Sequence, residues 1–424
     1  MAARGSASGN VVYLSSGWDS TTLLACLVKI YGAKKVRAVT GRMRYANRSG
    51  VINQFEIDRA KAFADHFNVR LDIVDFDYTS KTPELFQKIQ PLMKSHQLHC
   101  LSVLNFHLLA DFVAKTTSGG EVLFSGEISD GAHNFGFSQF STLFHPVQEF
   151  REYADKMASY LFGPTFLGLL EEGKHANDPI YQLLRHRCGE ARFDEPSRDV
   201  VARRRQFLAS FFMRGQRIPL FSLDNRQLLT KEGRFAYSEE MESAYLQEAA
   251  SRLTGETLYS WTLHLYNSFH WQSTTVAAFV HTAGALGLRM EFPFWDSRLQ
   301  QFLSRMPELW GRSLDFNPTK YPLKWMLKNR MEYPLHLQIG PHSYLSDVDP
   351  NFSHGAEALY ASSFTPYLKD LLQAREYRNL LSPNFFNMAY VDGFVDRFLK
   401  GEEVRGEEMN DLFSLCKLSM VGWY

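Results

Sequence analysis

Cysteine is scarce and scattered, four in 424 residues at 26, 100, 188 and 416, with no C-x-x-C pair. That spacing excludes a disulfide framework, a dithiol redox centre and a zinc site of paired thiolates, and leaves the thiols as core packing groups. Neither sign of charge is in excess, since Lys plus Arg and Asp plus Glu both number 46. Nucleic acid or an anionic membrane would therefore need a local patch, because there is no global field to attract it. No apolar run approaches the roughly 20 residues of a membrane span. The stretch from Met1 to Gly9 has no apolar signal core, so residues 1–8 read as a flexible leader and the expected location is the cytoplasm. Low-complexity bias is also missing. With 45% hydrophobic and 14% aromatic residues, the chain has the composition of a folded globular protein.

The stretch that organises the chain is Val11-Val-Tyr-Leu-Ser-Ser-Gly-Trp-Asp-Ser-Thr-Thr22. Val11 to Leu14 suit a buried strand, Gly17 permits a tight turn, and Ser20, Thr21 and Thr22 open a helix continued by Leu23, Leu24, Cys26 and Leu27. A strand followed by a small-residue loop and a helix aims backbone N–H groups and the positive helix end at one point. Ser15, Ser16, Ser20 and Thr21 add hydroxyl donors, so phosphate or pyrophosphate is the natural guest. Asp19 is placed to hold an accompanying metal. The G-K-[S/T] of a Walker A loop is absent. Taken alone, so short a motif also describes an ordinary strand-to-helix turn.

Further strands are expected at Lys35 to Thr40, Arg70 to Asp75 and Glu121 to Phe124, alternating with helices at Gln54 to Phe67 and Leu101 to Ala114. This is an α/β pattern with a parallel twisted sheet flanked by helices. Ligands of such sheets sit beyond the carboxyl ends of the strands, so the residues after Leu14, Thr40 and Phe124 are expected to face one crevice. The last of these strands runs into Ser125-Gly126-Glu127-Ile128-Ser129-Asp130, which sends two carboxylates from one strand end.

The first loop resembles S-G-G-x-D-S, the pyrophosphate loop of the ATP pyrophosphatase superfamily, with Ser16 in place of the first glycine. The second run resembles the S-G-E-G-A-D segment of the synthetase domain of asparagine synthetases. Two later stretches follow the same family. Val280 to Asp296 tracks D-R-A-S-M-A-x-G-x-E-x-R-x-P-F-L-D, matching at Gly287, Pro293, Phe294 and Asp296, with Val280-His281 for the leading Asp-Arg. Arg289 and Glu291 stand there in exchanged order, which a paired contact would survive. Lys320-Tyr-Pro-Leu-Lys324 is similar to K-x-x-L-[R/K], and counting back from Leu345-Ser-Asp347 puts His342 where the family carries a lysine. Gly131 departs from the usual glutamate after the second aspartate.

The resemblance implies an adenine nucleotide alpha hydrolase-like core over residues 9–137, a largely helical insertion over 138–262 and a helical remainder over 263–424. It implies ATP and magnesium as cofactors. Ser15, Ser16, Gly17, Asp19, Ser20, Thr21, Gly126 and Lys324 would bind ATP and pyrophosphate, Asp19 and Asp130 would hold the metal, and Glu127, Lys320 and His342 would be catalytic. The implied chemistry is activation of a small-molecule or peptide carboxylate as an acyl-adenylate, then amide formation. With only ten residues before Val11, no glutaminase domain is expected ahead of the core. The nitrogen would come from ammonia, a separate glutaminase subunit or an amine of the substrate. Two other readings stay open: a pyrophosphatase-loop RNA-modifying enzyme using Arg203-Arg-Arg205, Arg214 and Arg217, and a non-catalytic nucleotide-binding relative. Asp194, Glu195 and Asp199 dilute that basic cluster and favour a solvated helix face.

Overall fold

The computed structural model describes residues 1–80, 82–134, 156–157, 159–188, 199–212, 227–268, 275–338 and 353–422. Five parallel strands form one sheet in the order β3-β2-β1-β4-β5. They are β1 (Asn10–Tyr13), β2 (Val36–Arg44), β3 (Arg70–Asp77), β4 (Val122–Phe124) and β5 (Arg289–Glu291). The central strand β1 is buried along its whole length, as its Val-Val core demands, with Val12 opposite Ala38 on one side and Phe124 on the other. Because β2 and β4 leave β1 in opposite directions, the sheet reverses its winding there. Such a switch point opens a crevice beyond the carboxyl ends of the two strands.

Helix α1 (Trp18–Tyr31) returns from β1, burying Leu23, Leu24 and Leu27, and stops at Gly32, whose φ of 79° suits a residue without Cβ. Helix α2 (Gln54–His66) buries Ile57, Ala60 and Phe63 on one stripe and leads into β3. Helix α3 (Thr82–Ser95), which contains Pro91, had no place in the sequence reading, and α4 (Val103–Thr116) precedes β4. Strand β2 continues to Arg44, past its expected end at Thr40, so the residues that follow Thr40 belong to the sheet; its pairing with β3 runs on to Arg44 opposite Asp77.

One apolar cluster unites the sheet with the C-terminal helices and includes Leu228, Leu229 and Phe386, which meet through a bridge between Leu229 and Phe386. A second gathers residues between Tyr160 and Tyr266, where α6 (Pro164–Glu171), α7 (Val200–Phe212), α8 (Glu242–Arg252) and α9 (Leu258–Tyr266) pack together. Helix α10 (Ala277–Gly284) leads through Gly287, at φ 71°, into β5. Helices α11 (Ser297–Ser304) and α12 (Tyr321–Arg330) follow. The last helix, α13 (Glu407–Val421), buries the expected stripe of Leu412, Leu415, Cys416 and Met420 completely. Residues 1–8, read as a leader, make contacts of their own: Arg4 reaches Glu291 at 3.2 Å and Asp296 at 3.1 Å, and Tyr31 donates to the Ala2 carbonyl at 2.7 Å. No helix among the described residues is long and apolar enough to cross a membrane.

Candidate nucleotide site

The loop after β1 and the loop after β4 meet at the switch point. Gly126 makes this approach possible: a Cβ there would lie 3.0 Å from the Ser20 amide nitrogen and 3.1 Å from the Asp19 carbonyl carbon, both backbone atoms that cannot swing aside. Gly17 plays a different part from the one expected, because its φ of −71° is open to any residue. The strained position is its neighbour Ser16, at φ 65°, where the family motif has glycine. Its side chain is completely buried and accepts a hydrogen bond from Arg59 Nε at 3.1 Å.

The loop hydroxyls do not all face the crevice. Ser15 is exposed, whereas Ser16, Ser20 and Thr21 are buried. Ser20 Oγ accepts from the Ser15 amide at 3.1 Å. Thr21 Oγ1 contacts the Gly17 carbonyl at 2.8 Å, Tyr333 Oη at 2.7 Å and Gln338 Nε2 at 3.0 Å. In this arrangement Ser20 and Thr21 bond polar groups of the loop, and Ser16 accepts from Arg59, so these hydroxyls help to fix the shape of the loop. What remains for an anion is the amino end of α1, capped by no side chain, where the first-turn N–H groups have no helical partner.

Three segments far apart in sequence converge below this loop. Lys320 Nζ lies 2.6 Å from Asp19 Oδ2 and also pairs with Asp130 Oδ1. Ser129, in the first turn of α5 (Ser129–Asn134), donates to Asp19 Oδ1 at 2.5 Å and meets His133 Nδ1 at 3.2 Å. Lys320 is 5% exposed, and although burial opposes its charge, the two carboxylates outweigh that and raise its pKa. Burial raises the Asp19 pKa, with the neighbouring Asp130 adding to the shift and Lys320 opposing it. Burial first, then the negative charges of Asp130 and Asp19, push the Glu127 carboxyl up to about 8. The site thus holds three carboxyl groups around one ammonium.

Among the described residues, six non-glycine positions have positive φ, and three of them, Ser16, Ile128 and Lys320, belong to these site segments. Strain of this kind costs of order 1–3 kcal/mol per residue and persists only where packing enforces it. Ile128 is buried to 1% between Glu127 and Ser129, and a β-branched residue at φ 76° is an outlier. Lys324, one turn after Lys320, lies 5.1 Å above the Trp18 ring, which stacks on Tyr333.

Other expectations also find their places. The exchanged pair meets, with Arg289 Nε 3.5 Å from Glu291 Oε1. Gly131 answers a packing demand, since a Cβ there would come within 2.0 Å of the Tyr266 ring. His281 stacks on His96 with ring centroids 3.6 Å apart. Arg203 is spent on the carbonyls of Leu170 and Glu171 at 2.8 and 2.6 Å, and Arg204 on the Ala250 carbonyl at 3.2 Å, so these two arginines are engaged within the fold. Cys26 is half-buried and lines a cavity, unlike the core thiol Cys416. His342, Arg214 and Arg217 lie outside the described residues.

Sequence reasoning missed Ser129, His133, Arg312, Tyr333 and Gln338. Ser129 sat in plain view within the second motif; the others carried no motif signal. Arg312, 1% exposed, donates to the Ala132 and His133 carbonyls at 2.9 Å, where it satisfies the end of α5.

Among the described residues, no group of three or more His, Cys, Asp and Glu forms a metal cage. Two carboxylates that already converge on one cation do, however, fit magnesium, which takes few protein ligands and completes its shell with phosphate oxygens and water.

Comparison with curated proteins returned no match. The sequence model described as "Asparagine synthase" matches residues 9–423, nearly the whole chain. The chain belongs to the asparagine synthase family, whose chemistry is ATP-dependent amide formation.

Proposed function

We propose that the chain activates a substrate carboxylate with ATP as an acyl-adenylate, releases pyrophosphate, and passes the acyl group to a nitrogen nucleophile. The observation that carries this reading is the meeting of Asp19, Asp130 and Lys320 beneath a loop whose helix end lacks a side-chain cap. In the first step a carboxylate oxygen bonds to the α-phosphorus of ATP, the bond from that phosphorus to the bridging oxygen of the β-phosphate breaks, and pyrophosphate leaves. Ser15, the Gly17 backbone and the first turn of α1 take up its charge, and Lys320 supplies a cation beside it. Magnesium held by Asp19 and Asp130 would neutralise the phosphates and orient them.

In the second step the nitrogen attacks the acyl carbon, the mixed-anhydride C–O bond breaks, and AMP leaves. Glu127 accepts the proton that the nitrogen loses. With its pKa raised to about 8, Glu127 is a stronger base than an ordinary glutamate, and the carboxylate form that takes the proton grows as pH rises toward 8. Lys324 and His342 complete the proposed set of cations, Lys324 from the helix face that follows Lys320. An RNA-modifying role finds less support, because Arg203 and Arg204 are engaged with carbonyl oxygens of their own fold.

The test is product analysis with purified protein, ATP, magnesium and a panel of carboxylates paired with amines or ammonia. AMP and pyrophosphate in equal amounts, dependent on the carboxylate, are expected. ADP and inorganic phosphate as products would contradict adenylation.

A further inference from the structure

Between α1, α11 and α12, with Arg4 of the N-terminal segment on its wall, lies a cavity of about 900 Å³. That is room for an organic molecule of substantial size. Its wall is strongly apolar and aromatic, with Phe294, Leu299, Phe302, Trp310, Tyr321 and Trp325. Three of these are open to solvent: Phe302 at 52%, Trp310 at 40% and Trp325 at 43%. Most polar groups of the wall are already committed. Arg4 and Arg298 both pair with Asp296, and Thr22 Oγ1 donates to the Trp18 carbonyl at 2.6 Å.

His133 is the exception, and it joins the cavity to the nucleotide site. It is 2% exposed and lines the cavity. Its Nδ1 lies 2.9 Å from the Ser129 carbonyl and 3.2 Å from Ser129 Oγ, whose proton goes to Asp19 at 2.5 Å. Both partners of Nδ1 therefore accept, so Nδ1 carries the ring proton and Nε2 is left as a bare acceptor. Burial, reinforced by the charge of Lys320, holds the ring neutral by pushing its pKa down to about 3. A neutral imidazole lone pair in an apolar wall calls for a hydrogen-bond donor and repels a carboxylate. Aromatic faces around it also suit an organic ammonium group.

We propose that this cavity is the subsite for the amine partner of the ligation, and that this amine carries a bulky apolar or aromatic body with its N–H donating to His133 Nε2. The inference rests on the ligase reading and names the nucleophile that reading leaves open.

Isothermal titration with tryptamine, and with indole-3-propionate as its carboxylate counterpart, tests the assignment. Tryptamine is expected to bind with one-to-one stoichiometry, and at least about tenfold more tightly than indole-3-propionate. Leu299→Trp, which fills the cavity, is expected to weaken tryptamine at least about tenfold while the affinity for α,β-methylene-ATP is kept. Met326→Trp, filling the same space from α12, provides a second variant should the first fail to fold. Equal tryptamine affinity in the wild type and a folded filled variant, no tryptamine binding at millimolar concentration, or tighter binding of indole-3-propionate would each overturn the proposal. A wild-type protein that binds the ATP analogue but not tryptamine refutes this inference alone. One that binds tryptamine but not the analogue refutes the ligase reading and, with it, the amine's role.

Discussion

Lys320 donates to Asp19 at 2.6 Å across 301 residues of sequence, from a backbone held in the left-handed region at φ 55°. The strained conformation and the ion pair belong together. Lys320 caps the amino end of α12 with no side-chain hydrogen bond to that helix, leaving its ammonium for Asp19 and Asp130. Removing one partner of such a group leaves charge without compensation. Lys320→Met is expected to destabilise the fold by about 2–3 kcal/mol. This is less than for a fully buried pair, because Asp19 and Asp130 stay 21% and 24% exposed. Urea unfolding of Lys320→Met, Asp130→Asn and the double variant checks this, with the double variant expected to lose less than the two single losses combined.

Catalysis should depend on the same carboxylates. Asp19→Ala and Asp130→Ala are each expected to slow pyrophosphate release at least about tenfold, equivalent to ~1.4 kcal/mol of lost transition-state stabilisation. Pyrophosphate assays at saturating magnesium measure it. Wild-type rates in both variants would refute the metal assignment.

Glu127 gives a stability signature that needs no substrate. Its carboxyl is pushed up to about 8 in the folded protein from an ordinary 4.5. Between those values the folded state holds a proton that the unfolded state has released. Its contribution is thus fully present below pH 4.5 and is lost as pH rises toward 8. In that window Glu127→Gln should flatten the fall of stability by up to ~1.4 kcal/mol per pH unit. Denaturation at pH 5, 6.5 and 8 would reveal it, and parallel curves for the variant and wild type would sink the assignment.

Gly126→Ala tests the close approach of the two loops. The added Cβ meets backbone at 3.0–3.1 Å, so the loops must separate by a few tenths of an ångström. Nucleotide affinity is expected to drop about tenfold, by the sensitivity of positioned groups to small displacements, with the thermal midpoint nearly unchanged. A variant with wild-type affinity would show that the gap is not part of the site.

Much of this was legible before the fold was seen. Strand β1, the opening of α1 and strand β4 carry strong local patterns, and the two segments that follow the strands contain Asp19, Glu127 and Asp130 in recognisable order. Strand β5 is three residues long and follows a left-handed Gly287, so no alternation announces it. The orientation of side chains was the harder matter. Ser16, Ser20 and Thr21 look like phosphate donors in sequence; in the fold they are buried, Ser16 against Arg59 and Ser20 and Thr21 against backbone groups of the loop. His133 and Tyr333 owe their places to packing between distant elements, which local residue patterns do not encode.

The account stands most directly on one measurement: calorimetric binding of α,β-methylene-ATP with and without magnesium, in the wild type and in Asp130→Asn. Magnesium-dependent binding in the wild type, weakened at least about tenfold in the variant, is the predicted result. No binding to the wild type, or equal affinity with and without magnesium and in both proteins, would contradict the assignment of Asp19, Asp130 and Lys320 to the nucleotide.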